Sequence, residues 1–239
     1  MSGGAKNFYN RLYAEGRKGK GPSGVLGWIF LRLRKYELHR VDASLSLLEK
    51  GEKLLDLGCG DGMLLALAKK QGKYQKLYGV DIAAVVVQRA KKTLLRKLVE
   101  NKDFILKTAN LDNGLPFRNN YFDAVTCIAV LEHIFDPYFT IGEIKRILKT
   151  GGLLILEVPN LVWFPRRLSV LLGNLPKTGD EEGWDSAHLH YFTFKAIKEL
   201  LKDYGFRIEY EGSTGIFSAF RNICPSLLGG DIIIKARKK

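Results

Sequence analysis

The sequence predicts an α/β protein with a doubly wound, mainly parallel sheet, and three observations support that prediction. Short apolar segments alternate with helical patterns between residues 54 and 204. A glycine-rich turn at residues 58–62 joins the first apolar segment to the first helical one. Residues 153–158 are apolar enough for a central strand that is covered on both faces. This order of strands and helices favours a parallel sheet with helices on both sides.

The individual elements follow from periodicity and from breaker residues. Apolar runs predict strands at residues 54–57, 76–81, 103–108, 121–128, 153–158, 206–212 and 231–236. Helical spacing predicts helices at residues 36–50, 63–71, 83–99, 137–149 and 193–204. A turn is expected at residues 150–152. Thr193 is expected to cap the last helix and Gly205 to end it.

Two segments fall outside the predicted sheet. Residues 1–35 form a basic arm with an apolar stretch at 25–33, which is expected to pack over the domain or to lie on an anionic membrane surface. Residues 160–191 form an insertion in the remaining domain, 36–239. The insertion suits a lid over an acceptor with an apolar part and an anionic part. Its aromatic and cationic residues include Trp163, Phe164, Arg166, Arg167 and Trp184.

Composition limits the class of protein. The chain has 239 residues, 46% of them hydrophobic, which is enough for one α/β domain with a full core. No apolar run reaches the roughly 18 residues of a membrane-spanning helix. The three cysteines are widely spaced, which predicts neither disulfides nor a zinc site and favours a cytoplasmic setting. The net charge of +13 favours acidic partners such as RNA or anionic lipid, but a solvated lysine-rich surface explains it equally well.

The glycine turn and a later acid indicate a nucleotide-like ligand. Asp81 ends the second predicted strand, about where nucleotide-binding α/β domains place an acid that accepts the ribose hydroxyls. The turn reads Gly-x-Gly-x-Gly, whereas dinucleotide-binding proteins have Gly-x-Gly-x-x-Gly. Asp56 before the turn would repel a pyrophosphate but could receive an ammonium group. A ligand other than a dinucleotide is therefore expected.

The motif Asp56-Leu57-Gly58-Cys59-Gly60-Asp61-Gly62 resembles the first motif of class I S-adenosylmethionine-dependent methyltransferases. Residues 115–117, 122–123, 130–133, 146–149 and 151–152 resemble the small-molecule, ubiquinone-type O-methyltransferases in order and spacing, although Thr150 replaces the usual proline. Residues 188–193 resemble a subgroup linked to cell-surface glycan or lipid pathways. The resemblance implies a Rossmann-like sheet of seven strands with the last antiparallel, and S-adenosylmethionine as the cofactor.

The same resemblance assigns cofactor contacts. The expected cofactor-binding residues are Arg40, Asp56, Gly58, Gly60, Asp81, Ile82, Asn110, Leu111 and Ile128. Ile82 is expected against the adenine ring and Asn110 at its amino group, with Asp112 as the alternative. Arg40 is expected to pair with the methionine carboxylate or else to be a surface arginine.

Three histidines are candidates for chemistry, because a general base is needed if the acceptor is a weakly acidic hydroxyl. His133 follows the fourth predicted strand, and His188 and His190 alternate after the insertion. The alternative is that they are packed, hydrogen-bonded loop residues. Glu132, His188 and His190 could together hold a metal ion, but no metal is predicted, because two ligands without a clear third are common by chance.

The most specific expectation is methyl transfer to a small-molecule, lipid-linked or glycan-precursor acceptor. An RNA methyltransferase is the alternative that the positive charge favours, although no separate RNA-binding module is visible. A binding protein that keeps the fold without turnover is the third possibility.

Overall fold

A computed structural model describes residue 7 and residues 9–10, 37–175, 178 and 187–239. Within these residues the chain forms a central sheet of seven strands with helices on both faces, plus a small two-stranded sheet. The predicted arm at 1–35, including the apolar stretch at 25–33, lies almost entirely outside the described residues. The same holds for Trp184 and most of residues 176–186 in the insertion.

The strand order of the large sheet is β4-β3-β2-β5-β6-β9-β7. Strands β2 to β6 pair in parallel, and β9 runs antiparallel to both of its neighbours. This confirms the predicted seven-stranded sheet with its last strand reversed. The strands are β1 (Glu37–Leu38), β2 (Gly51–Leu57), β3 (Tyr74–Asp81), β4 (Phe104–Thr108), β5 (Phe122–Ile128), β6 (Leu148–Pro159), β7 (Phe206–Gly212), β8 (Gly215–Ile216) and β9 (Asp231–Lys238).

Side chains cap the first turns of two α-helices in the described residues. Thr193 Oγ1 accepts a hydrogen bond from the Ala196 N–H at 3.1 Å, and Gly205 takes a φ of 77° just after that helix, as predicted. Asp136 caps another helix by accepting from the Phe139 N–H at 2.9 Å. The helices are α1 (Arg40–Leu47), α2 (Met63–Lys70), α3 (Ala84–Leu95), α4 (Pro137–Ile147), α5 (Phe164–Leu171), α6 (Phe194–Asp203), α7 (Ser218–Arg221) and α8 (Pro225–Leu228).

Side chains of the central strand β6 alternate between two apolar cores. Leu154, Leu156 and Val158 enter the core that includes α4 and α6. Leu153 and Ile155 enter the core on the other face, which includes α1 and α2. Because strand side chains repeat every second residue, the next position of this second row is Glu157. An acidic residue therefore continues an apolar row beneath α1.

Several predicted bounds differ from the structure; the helix predicted at 83–99, for example, spans only Ala84–Leu95. Two differences have a clear structural cause. The helix predicted at 36–50 is shorter, because Glu37–Leu38 pairs antiparallel with Gly215–Ile216 and α1 begins only at Arg40. That pairing depends on residues far along the chain, which local periodicity does not report. The turn predicted at 150–152 lies inside β6, where the pairing with β5 shifts and Gly151 has a φ of 75°. The chain accommodates the extra residues as a bulge.

Candidate cofactor and acceptor site

The glycine turn after β2 forms the first part of the site. Gly58, Gly60 and Gly62 have φ of 67°, 51° and 79°, a region that favours glycine. A Cβ on Gly58 would lie 2.2 Å from Cγ2 of Val130, whereas a Cβ on Gly60 would meet nothing within 4 Å. Gly58 is therefore required by packing, and Gly60 faces open space where a ligand has room to approach the backbone.

Asp81 at the end of β3 is bonded directly to this turn. Its side chain is 8% exposed, and Oδ2 accepts from the Gly60 N–H at 3.1 Å while Oδ1 accepts from the Ala83 N–H at 2.9 Å. Burial raises the pKa of Asp81, and backbone N–H donors oppose that rise. Each carboxylate oxygen keeps capacity for a further hydrogen bond. Asp81 thus lies beside the open face of Gly60, where the sequence analysis places the ribose.

Asp56 lies one strand further into the sheet and is 4% exposed. Its Oδ1 accepts a 2.6 Å hydrogen bond from the Thr126 hydroxyl, its partner in register on β5. Burial raises the pKa of Asp56 to about 7, against the lowering effect of Thr126, and the charge of Asp81 adds to the rise. Sequence reasoning missed Thr126, because only the strand register brings it to Asp56.

The predicted adenine contacts lie after β3 and β4. Ile82 is half-buried, and Leu111 is 6% exposed in the core. The Asn110 side-chain oxygen accepts from the Asp112 N–H at 3.1 Å and caps the 3-10 turn Leu111–Asn113. Asp112 in turn accepts from the Phe135 N–H at 3.0 Å. Both polar candidates for the adenine amino group therefore already accept one backbone hydrogen bond.

The structure separates the three candidate histidines. The ring centres of His133 and His188 lie 4.7 Å apart. With Glu132 they present possible metal-ligand atoms that lie within 4.8 Å of one another. His190 contacts the Phe135 carbonyl through Nε2 at 3.2 Å. The three side chains close enough to hold a metal ion are therefore Glu132, His133 and His188. The candidate set from the sequence has His190 in place of His133. The absence of a metal remains a prediction.

Backbone bonds attach the histidine segment to the end of β5. The carbonyl of Glu132 accepts the N–H groups of Leu189 at 2.8 Å and of His190 at 3.1 Å. Glu132 is 1% exposed, and its Oε2 has no hydrogen-bond partner in the part of the chain that the structure describes. Burial raises the pKa of Glu132 to about 8.

Glu157 is a site residue that sequence reasoning missed. It is fully buried, and neither of its carboxylate oxygens has a hydrogen-bond partner among the described residues. Arg40, the first residue of α1, brings Nη1 to 3.7 Å from its Oε2. Burial raises the pKa of Glu157 to about 8, and Arg40 opposes that rise. The available signal was a single acid inside the otherwise apolar run Leu153–Val158.

Some residues of the predicted acceptor lid, at the start of the insertion, bind backbone carbonyls, and the lid itself stays a prediction. Arg166 donates to the carbonyls of Asn160 at 2.6 Å and Gly230 at 2.9 Å, and its guanidinium lies 5.6 Å from the Trp163 ring centre. Asn160 donates to the Gly229 carbonyl at 2.8 Å. These bonds hold α5 against the segment before β9, while apolar side chains such as Phe164 stay exposed.

Comparison with known proteins identifies the family. A family model described as a methyltransferase domain matches residues 30–211, more than half of the chain. The chain belongs to the methyltransferase domain family. This methyltransferase domain matches a structure of magnesium protoporphyrin IX methyltransferase from Synechocystis PCC 6803 with bound SAH, at a TM-score of 0.64 and 20% identity. That match covers 100% of this chain and 96% of the other, which confirms the fold.

Relatives with named activities include two methyltransferases. The domain is 32% identical over 128 residues to a ubiquinone biosynthesis O-methyltransferase from Xanthomonas oryzae, covering 54% of this chain and 51% of the relative. It is 28% identical over 174 residues to a demethylmenaquinone methyltransferase from Thermotoga maritima, covering 67% and 72%. The match thus spans about half the length of the first relative. In the described residues no helix has the length and apolarity to cross a membrane.

Proposed function

We propose that the protein uses S-adenosylmethionine to methylate an oxygen of a small-molecule acceptor. The observation that carries the proposal is the bond between Asp81 and the Gly60 N–H beside an open glycine turn. A carboxylate there can accept hydrogen bonds from ribose hydroxyls. The open space beside Gly60 among the described residues lets a ligand approach the backbone. The residues therefore fit the adenosine part of this cofactor.

The other end of the same edge fits the methionine part. Asp56 and the Gly58 backbone would hold the ammonium, and Arg40 the carboxylate, because each supplies the complementary charge or a backbone dipole. When bound, the cofactor supplies a methyl group on a positively charged sulfur, ready for direct displacement. The chain's own contribution is to bind and align both reactants and to exclude water.

The acceptor is proposed to be quinone-type or another lipid-linked molecule, or a glycan precursor. Supporting this, one relative is named as a ubiquinone biosynthesis O-methyltransferase. The exposed apolar side chains of α5 also give a lipid-linked acceptor a surface to contact: Phe164, Leu168, Val170 and Leu171. His133 and His188 are the proposed groups near the acceptor, as base or as positioning residues.

Transfer of a labelled methyl group to fractionated cell extract tests the proposal. Label should appear in a lipid or small-metabolite pool, and Asp81→Asn should greatly reduce it. Label in RNA, with an affinity that falls steeply as salt increases, would instead support the RNA methyltransferase that the charge of +13 favours. Tight S-adenosylhomocysteine binding with no labelled pool would favour a non-catalytic binding protein.

A further inference from the structure

The buried side chain of Glu157 lies close to the half-exposed side chain of Arg40. Glu157 lies on β6 beside Ile128 of β5 and is 1% exposed at its side chain, whereas the Arg40 side chain is 49% exposed. Their closest approach is 3.7 Å, an ion-pair distance but not a hydrogen bond. The buried carboxylate can therefore attract and orient the guanidinium by charge.

Stability alone does not explain an acid at this position. Leu153 and Ile155, which precede Glu157 in the same row, are buried in the core beneath α1. A carboxyl group buried without a hydrogen bond destabilises a fold, whereas an apolar side chain would extend the row. A residue that breaks the local pattern in this way indicates a functional constraint.

Among the described residues, Arg40 is the cation that acts on Glu157. The charged groups that act on Glu157 are Arg40 from α1, Glu132 from the 3-10 turn after β5 and Asp231 from the start of β9. Asp56 adds another carboxyl group at the same edge of the sheet. A ligand carboxylate entering this acidic region needs a guanidinium that is already in place.

We propose that Glu157 is a positioning residue that holds Arg40 where the carboxylate of the cofactor's methionine part binds. The inference rests on the proposed function, because it takes S-adenosylmethionine as the ligand. Glu157 acts through Arg40 and touches neither reactant. Removing the charge of Glu157 would weaken the attraction that favours this rotamer of Arg40, and the added cost of ordering the guanidinium would reduce affinity for ligands that carry the carboxylate.

Two ligands isolate this role. S-adenosylhomocysteine carries the amino-acid part, and 5′-methylthioadenosine has the same adenosine and sulfur without it. Calorimetry should show Glu157→Gln weakening S-adenosylhomocysteine about tenfold at pH 9 and leaving 5′-methylthioadenosine unchanged. The effect should shrink to two- or threefold at pH 7, because burial keeps the pKa of Glu157 near 8. Arg40→Met should weaken the first ligand at least as much, and the double variant no more than Arg40→Met alone.

A matched ion pair at the opposite edge of the sheet provides the control. Glu209 accepts from Arg237 at 2.7 Å, and Glu209→Gln should leave the affinity for both ligands unchanged. Equal weakening of both ligands by Glu157→Gln, unchanged affinity for both, or tighter S-adenosylhomocysteine binding would overturn the positioning role. Wild-type protein that binds neither ligand would overturn the proposed function itself.

Discussion

The two halves of the sheet's carboxyl edge differ in how their acidic side chains are bonded. In the cofactor half, at the ends of β2 and β3, Asp56 accepts from Thr126 and Asp81 accepts from two backbone N–H groups. The other half, at the ends of β5 and β6, is called the acceptor half after the role proposed for His133 and His188, although Glu157 there is proposed to act on the cofactor through Arg40. Among the described residues, one oxygen of Glu132 and both of Glu157 have no hydrogen-bond partner in this half. All four carboxyl groups are buried, so exposure does not explain the difference.

Satisfied and unsatisfied carboxyl groups imply different roles for the two halves. Bonded acids in the cofactor half fix the turn before any ligand arrives, which lowers the ordering entropy that binding must overcome. Unbonded acids in the acceptor half carry an energetic cost, which is expected where a residue is kept for function and not for stability. If this difference is real, changes in the cofactor half should alter fold stability and cofactor affinity, whereas buried acids in the acceptor half should titrate with raised pKa values.

The largest effect is expected in the cofactor half, from Gly58→Ala. The new Cβ would overlap Val130 at 2.2 Å and would also force alanine to a φ of 67°. Overpacking and the left-handed backbone together should destabilise the fold by about 3 kcal/mol or more. Denaturant unfolding measures this, and Gly60→Ala is the matched control with open space at its Cβ. Equal loss of stability in the two variants would contradict the assigned packing role of Gly58.

The next largest effect is expected from Asp81→Ala, on cofactor affinity. It removes the proposed partner of the ribose hydroxyls together with the bonds that brace Gly60 and Ala83. S-adenosylhomocysteine affinity should fall by at least about thirtyfold, on the order of 2 kcal/mol. Asp81→Asn, which keeps the size but not the charge, should show a smaller loss by calorimetry. Unchanged affinity in Asp81→Ala would argue against this cofactor.

The cofactor half is also the half that sequence could locate. Asp56, Gly58, Gly60 and Asp81 lie at strand ends and in a local turn, so spacing along the chain places them together. The succession of strands and helices along the chain followed from alternating apolar and helical segments, whereas the reversed last strand was implied by the family resemblance. What local patterns missed were pairings between distant segments, such as β1 with β8 and Asp56 with Thr126.

The arrangement of side chains in the acceptor half results almost entirely from such contacts between distant segments. His133 and His188 meet because the Glu132 carbonyl holds the segment after the insertion, which neither histidine's neighbours reveal. Glu157 becomes notable only once its row is seen to pack beneath α1, near Arg40. Composition could indicate an acid in an apolar strand, but not that both of its oxygens are unbonded.

An intermediate effect is expected from pH on stability in the acceptor half. Folding raises the pKa of Glu157 from 4.5 to about 8, so the folded state binds its proton more tightly. Its contribution to stability is full below pH 4.5 and is lost as pH rises to about 8. Glu157→Gln should therefore raise the melting temperature relative to wild type by a few degrees at pH 9 and by less at pH 5.

The control for this prediction has the opposite sign. Arg237 lowers the pKa of Glu209 to about 2, so that group stabilises the fold above pH 4.5 and loses this contribution as pH falls. Glu209→Gln should accordingly reduce the melting temperature at neutral pH. A Glu157→Gln variant whose melting temperature differs from wild type by the same amount at pH 5 and pH 9 would show that Glu157 does not titrate with a raised pKa.

The smallest effect is expected from His190, which the sequence analysis grouped with His133 and His188. Its ring is separated from their cluster and contacts the Phe135 carbonyl at 3.2 Å, while its backbone N–H is held by Glu132. Asparagine can keep a donor near that carbonyl, so His190→Asn should change methyl transfer by no more than about threefold, under 1 kcal/mol. Initial rates on the acceptor pool found by labelling would measure this, with cofactor affinity unchanged. A hundredfold or larger loss of methyl-transfer rate would contradict this prediction. His190 would then be a catalytic candidate, and the acceptor site would extend beyond the cluster of Glu132, His133 and His188.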